Sequence, residues 1–339
     1  ADNRIPPADR AAPVIGPPVG AESAGVGVGP HGTPSTAPAA GSALVFPGQG
    51  SQSVGMLGPW CDAPGAVALF ERASDILGYD LAAVCRSGPA ERLDATAVSQ
   101  PAILVTSLAA LEVLRHREGG VPADIVGVAG LSLGEYTALV FAGAIGFDDA
   151  VRLVDARGRA MQDCADAAPG GMVAVLGLER GTVADLCSAH RGADVLEVAN
   201  VLCPGNIVVS GDRAACARVA DAATAAGAMK CVRLEVSGAF HTRLMAPARD
   251  RLTAALAATT LRPPRVPVVS NVDARPHHDP DEIRGLLARQ LVGVVEWQAS
   301  MEFLIASGVR SIVEVGPGRV LRGLMKRIDR KVAVAGVCD

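Results

Sequence analysis

The sequence predicts an α/β fold, a mainly parallel sheet covered by helices on both faces, with a small subdomain inserted into it. Three observations carry this reading. Short apolar runs that stop at glycine, proline or polar residues alternate along the chain with stretches of helical period. The apolar residues, 50% of the 339, are mostly Ala, Val and Leu, with aromatics at only 3%, a composition that suits helix-on-sheet layers better than aromatic-rich sandwiches. Residues 168–236 carry a β-α-β-α spacing of their own.

The elements follow in chain order. Residues 1–42, punctuated by prolines from Pro6 to Pro38 among Gly, Ala and Ser, have no apolar period and read as a disordered leader or linker. Asp2, Asp9 and Glu22 beside only Arg4 and Arg10 argue against a transit peptide, and the absent initiator Met points to a processed form or an excised piece. Ala43 to Phe46 is a buried strand running into Pro47-Gly48-Gln49-Gly50. Residues 100–117 are helical, with Leu104, Leu108, Leu111 and Leu114 on one face. Asp124 to Ala129 is a second buried strand, followed by a tight turn at 130–134 and a helix through Ala142. An amphipathic helix covers 148–163. Met172 to Leu178 and Asn206 to Ser210 are strands, 213–227 is an Ala-rich helix, and Val266 to Asn271 and Ser311 to Val315 are further strands.

Charge and cysteine usage exclude several functions. Lys plus Arg number 31 against 35 Asp plus Glu, a net charge of -4, which is not a surface built to neutralise many phosphates, so no nucleic-acid partner is expected. No run reaches the roughly 18 uninterrupted apolar residues that span a bilayer, since even residues 139–147 stop at Asp148, so no membrane partner is expected. The eight cysteines form no C-x-x-C pair and read as free thiols in a reducing compartment; no Cys or His has zinc-site spacing, so no metal is expected.

The sharpest chemical signal is Gly130-Leu131-Ser132-Leu133-Gly134, a G-x-S-x-G between a strand and a helix. A serine nucleophile needs its hydroxyl exposed on a strained turn, and the flanking glycines let the chain turn that tightly. The following helix N-terminus offers free N–H donors for an oxyanion, the Leu133 amide first. Of the six histidines, His241, in Val236-Ser237-Gly238-Ala239-Phe240-His241-Thr242, sits at a strand-to-helix junction and is the candidate base. It lies far from the C-terminus and no Asp declares itself as a third member, so something else orients the ring.

These residues assemble into a resemblance. Val45-Phe46-Pro47-Gly48-Gln49-Gly50-Ser51-Gln52, Gly130-Leu131-Ser132-Leu133-Gly134-Glu135, Arg157-Gly158-Arg159-Ala160-Met161-Gln162, Gly238-Ala239-Phe240-His241 and Glu314-Val315-Gly316-Pro317-Gly318 resemble, in order and spacing, the motifs of malonyl-CoA:acyl carrier protein transacylases, over residues 43–331. The resemblance implies an α/β-hydrolase-like large subdomain, 43–167 plus 237–339, with a ferredoxin-like small subdomain at 168–236 and the active site between them.

It also implies roles. Ser132 takes malonate as an ester and His241 is its base. Gln290 matches the residue that holds the histidine by hydrogen bonding in place of a triad carboxylate. Arg157 matches the arginine that pairs with the free malonyl carboxylate. Gln49 supplies the second oxyanion amide, and Met161 and Phe240 line the acyl pocket, where Phe240 crowds an added methyl. Many bacterial members have His before the nucleophile where this chain has Leu131, a change in pocket lining. The implied substrates are malonyl-CoA and holo acyl carrier protein, with no cofactor, in a monomer of the bacterial cytoplasm or, alternatively, the plastid stroma. Two basic sets are candidates for an acidic carrier: Arg319, Arg322, Lys326, Arg327, Arg330 and Lys331, and Arg243 with Arg249. The rivals are an acyltransferase domain of a larger polyketide or fatty-acid synthase, a serine hydrolase or thioesterase, and a carrier-docking domain without activity.

Overall fold

The computed structural model describes residues 41–58, 63–117 and 119–337, so residues 1–40 of the expected leader lie outside the described residues, as do Cys61 and Cys338, while Gly41 and Ser42, counted with the leader, are the buried start of the first strand. In order, the elements are β1 (Gly41–Phe46), α1 (Pro64–Leu77), α2 (Leu81–Ser87), α3 (Ala90–Asp94), α4 (Thr96–His116), β2 (Ile125–Gly130), α5 (Gly134–Phe141) and α6 (Phe147–Ala167). Then come β3 (Gly170–Leu176), α7 (Arg180–His190), β4 (Leu196–Cys203), β5 (Asn206–Asp212), α8 (Arg213–Ala225) and β6 (Lys230–Arg233). The chain closes with α9 (Ala246–Ala258), β7 (Val268–Val269), α10 (Pro280–Gln290), α11 (Trp297–Ala306), β8 (Val309–Glu314), α12 (Val320–Ile328) and β9 (Ala333–Gly336).

The large sheet has the order β7-β2-β1-β8-β9, with every neighbouring pair parallel. β1 shows why its sequence is apolar without alternation. Leu44 and Phe46 enter the core with α1, α4, α5 and α6, while Ala43 and Val45 point to the other face, against α11 and α12. A parallel strand covered on both sides needs apolar residues on both.

The small sheet is antiparallel, in the order β4-β5-β3-β6, with α7 and α8 on one face over Val173, Val175, Ile207 and Val209. The order of elements is βαββαβ, the ferredoxin-like arrangement, and the strand between α7 and β5 that sequence spacing omits is β4. The register of β4 shifts at Val198/Asn200 and again at Val201/Cys203, which breaks its period of two.

Other differences have local causes. The strand expected at 266–271 shrinks to Val268–Val269, because Pro267 has no N–H to give and the chain turns back at Ser270, whose N–H donates to the Arg275 carbonyl. α4 begins at Thr96, earlier than expected, and carries Pro101 within it. α4 is also long and apolar enough to cross a membrane by length and composition, yet most of it is buried as the core helix packed against α1, α5 and α6. The six described cysteines are free.

Candidate active site

Ser132 lies on the turn between β2 and α5, with φ +49, a left-handed value that a side chain adopts at a cost. Two close approaches make the pentad glycines necessary. A Cβ on Gly130 would fall 1.8 Å from the Gly134 carbonyl carbon, and one on Gly134 would fall 2.1 Å from the Phe46 oxygen. The turn is clamped by Asn271, beyond β7, whose Oδ1 accepts from the Ser132 N–H at 2.6 Å and whose Nδ2 donates to the Gly130 carbonyl at 2.8 Å. Gln49, after β1, is tied down through its Nε2, which donates to Thr96 Oγ1 at 3.3 Å. Gln49, Leu131 and Leu133 line the same cleft as Ser132.

His241 Nε2 lies 2.9 Å from Ser132 Oγ. Its Nδ1 lies 2.8 Å from the main-chain carbonyl of Gln290 at the end of α10. A carbonyl only accepts, so Nδ1 carries the proton and Nε2 presents its lone pair to the serine hydroxyl. Gln290 thus lies against the ring through its main-chain oxygen, while its side chain is engaged elsewhere. His241 is 5% exposed, and burial, then the Arg157 charge, pull its pKa down to about 4 against the opposing pull of the Gln290 carbonyl. The imidazole is neutral at pH 7.

Arg157, on α6, is 1% exposed rather than a surface cation. Gly158 allows this, since a Cβ there would fall 2.8 Å from the Thr96 oxygen where α6 closes on α4. Across that contact Arg157 Nη1 donates to Gln100 Oε1 at 2.7 Å. Its Nη2 donates to Ser132 Oγ at 3.1 Å and to Gln290 Oε1 at 3.0 Å, and the guanidinium lies over the Tyr136 ring, 5.4 Å from its centroid. No carboxylate pairs with it directly among the described residues, and desolvation lowers its pKa. Glu135, 3% exposed, accepts from Gln290 Nε2 at 2.6 Å and from the Asn271 N–H at 3.2 Å; burial raises it to about 7 against these hydrogen bonds and the Arg157 charge.

The cleft between the two subdomains has a volume of about 500 Å³. Met161 and Phe240 line it, with Met172, Leu202 and Val208 from the face of the small sheet opposite α7 and α8. Sequence reading brings Ser132, His241, Arg157 and Gln290 to this place and misses Gln100, Glu135 and Asn271. Their signal is polarity on otherwise buried faces, and Glu135 stands directly after the pentad. Of the basic candidates, Arg322 pairs with the buried Glu314, Arg327 donates to the Pro204 carbonyl, Arg243 pairs with Glu197 and Arg249 with Asp250. Arg319, Lys326, Arg330 and Lys331 are exposed on and beside α12, as is Arg327 despite its contact with Pro204. Among the described residues no group of three or more His, Cys, Asp or Glu is placed to hold a metal ion.

Comparison with known proteins gives one consistent answer. Residues 43–336 match the family model described as the acyl transferase domain. A malonyl CoA-acyl carrier protein transacylase of Salmonella typhimurium is 46% identical over 287 residues, spanning 84% of this chain and 92% of the relative. The solved malonyl CoA-acyl carrier protein transacylase of Coxiella burnetii superposes with a TM-score of 0.84 at 38% identity, covering 89% of this chain and 94% of that one. A malonyl-transacylase solved in complex with its type II PKS acyl-carrier protein superposes with a TM-score of 0.83 at 40% identity, covering 88% and 95%.

Proposed function

The chain belongs to the acyl transferase domain family, and from that premise we propose that it transfers malonyl from malonyl-CoA to the phosphopantetheine thiol of an acyl carrier protein through a Ser132 ester, supplying fatty-acid chain elongation. One observation carries the reading: Ser132 Oγ lies within hydrogen-bond reach of a neutral imidazole and of a buried guanidinium with which no carboxylate pairs among the described residues.

In the first half-reaction Ser132 Oγ attacks the thioester carbonyl and its proton passes to His241 Nε2. The oxyanion is received by the amide N–H groups of Gln49 and Leu133. Collapse breaks the carbon–sulfur bond, and the departing CoA thiolate takes the proton from Nε2. In the second half-reaction the carrier thiol gives its proton to Nε2 and attacks the ester, and Ser132 leaves with that proton. Thiols ionise near pH 8.5, far more readily than alcohols, so in the second half-reaction a weak base oriented by a carbonyl rather than a carboxylate suffices to take the carrier's proton.

Arg157 selects the acyl group. When Oγ becomes an ester oxygen, the Nη2 proton that pointed at it is released toward the malonyl carboxylate. An acetyl group leaves the buried cation unanswered, which costs affinity. A general esterase has no use for that cation, which disfavours the hydrolase. Met161, Phe240 and Leu131 shape the pocket. The reaction as written calls on no metal or redox cofactor, and the site is complete within one chain, consistent with a monomer. We assign the large subdomain to 43–167 plus 237–339 and the small one to 168–236, and the setting to the bacterial cytoplasm, in keeping with the bacterial relatives. A polyketide carrier is the second reading, favoured by the likeness to the transacylase solved with a type II PKS acyl-carrier protein.

Initial rates with malonyl-CoA and holo carrier varied together test the proposal. Parallel double-reciprocal lines, with release of malonate to water far slower than transfer, are expected. Intersecting lines, or hydrolysis as fast as transfer, contradict it; fatty-acid and polyketide carriers run in parallel separate the two readings.

A further inference from the structure

Glu135 makes no hydrogen bond to Ser132 Oγ or to His241, yet it is a carboxylate held at 3% exposure in the first turn of α5, beside the nucleophile. Its Oε2 receives one proton of the Gln290 amide at 2.6 Å, and the Ser132 carbonyl receives the amide Nε2 as well, at 3.0 Å. With Nε2 facing two acceptors, Gln290 Oε1 is turned toward Arg157, which donates to it at 3.0 Å. A flipped amide would set oxygen against the Glu135 carboxylate and the Ser132 carbonyl, and NH2 against the guanidinium, so all three contacts would become repulsive. Among the described residues two side-chain carbonyls hold the Arg157 fork, Gln100 Oε1 and Gln290 Oε1, and the second is the one whose direction is set from Glu135.

We propose that Glu135 is a positioning residue: acting through the Gln290 amide, it aims Arg157 at the acyl group on Ser132 and so sets the preference for carboxylate-bearing acyl groups. The inference rests on the malonyl-transfer reading above. Glu135 acts by the reach of an acceptor oxygen, and its negative charge is not the feature that matters. Two variants separate reach from charge. Glu135→Asp keeps the charge and withdraws the acceptor by one methylene; Glu135→Gln removes the charge and leaves an amide oxygen at the same reach.

The experiment offers malonyl-CoA and acetyl-CoA in competition, reads the ratio of malonyl to acetyl ester on Ser132 by intact-protein mass spectrometry, and measures kcat and KM for malonyl-CoA. Loss of this buried hydrogen bond predicts a ratio lower by about tenfold in Glu135→Asp, with KM for malonyl-CoA rising more than kcat falls. Glu135→Gln keeps a ratio close to that of the unsubstituted protein. A ratio unchanged in Glu135→Asp, or one as low in Glu135→Gln as in Glu135→Asp, overturns the inference. Absence of a malonyl ester on the unsubstituted protein overturns the transfer reading and this inference with it, and is recognised because it precedes any substitution.

Discussion

At the floor of the cleft Arg157, Glu135 and His241 are 1%, 3% and 5% exposed, and each is fixed by hydrogen bonds of 2.6 to 3.2 Å to Gln290, Gln100, Asn271 or Ser132. On and beside α12, Arg319, Lys326, Arg330 and Lys331 carry more charge but stand in water. The two regions hold the same chemical groups in opposite dielectric settings. Buried, a single guanidinium adds to the desolvation that lowers the pKa of a neighbouring imidazole and, in the proposed mechanism, discriminates between acyl groups; exposed, four cations are screened by solvent and salt and, in that proposal, steer a partner only collectively. A change of one residue therefore has very different consequences in the two places.

The largest effect breaks the buried end at its centre. Ser132→Ala removes the atom that both His241 and Arg157 address, and transfer to carrier falls by about 10⁴-fold or more with the fold intact, as a thermal melt beside the rate assay will show. Next, Arg157→Ala leaves Gln100 Oε1 and Gln290 Oε1 without their donor and lowers kcat/KM for malonyl-CoA by about a hundredfold, while acetyl-CoA loses much less. Equal loss for both substrates would mean that Arg157 supports the site without reading the acyl group.

Acid titration sharpens the same comparison. His241 is depressed from 6.5 to about 4, so the unfolded chain binds its proton first and the contribution to stability is lost as pH falls from about 6.5 to 4. Glu135 is raised from 4.5 to about 7, so the folded state binds its proton first and stability is lost in the other direction, as pH rises through that range. The two oppose each other between about pH 4.5 and 6.5. Glu135→Gln leaves only the histidine slope, and urea midpoints across this interval will fall more steeply on acidification than those of the unsubstituted protein. The smallest effect is at the rim: Lys326→Glu with Arg327→Glu raises KM for the carrier by about fivefold at low salt and leaves KM for malonyl-CoA unchanged.

How much of this was legible in the sequence follows from what each position requires. The nucleophile turn was, because two sub-2.2 Å approaches forbid side chains at Gly130 and Gly134 and write glycine into the pattern. The parallel sheet was, because β1 and β2 are buried on both faces. The orienter of His241 was legible only as a residue, through resemblance; the acting atom is a main-chain carbonyl, which every residue has and no residue type announces. Asn271 and Glu135 escaped because apolar periodicity marks buried faces by their hydrophobes and passes over a polar group that folding satisfies internally. β4 escaped because its two register shifts disturb the alternation, and β7 was overestimated because Pro267 cannot extend the ladder.

The most direct test of the central claim is intact-protein mass spectrometry after brief mixing with malonyl-CoA. A malonyl adduct on the unsubstituted protein, absent from Ser132→Ala and discharged by holo carrier protein much faster than by water, is the predicted result. No adduct, an adduct that persists in Ser132→Ala, or one that water clears as fast as the carrier does would contradict it.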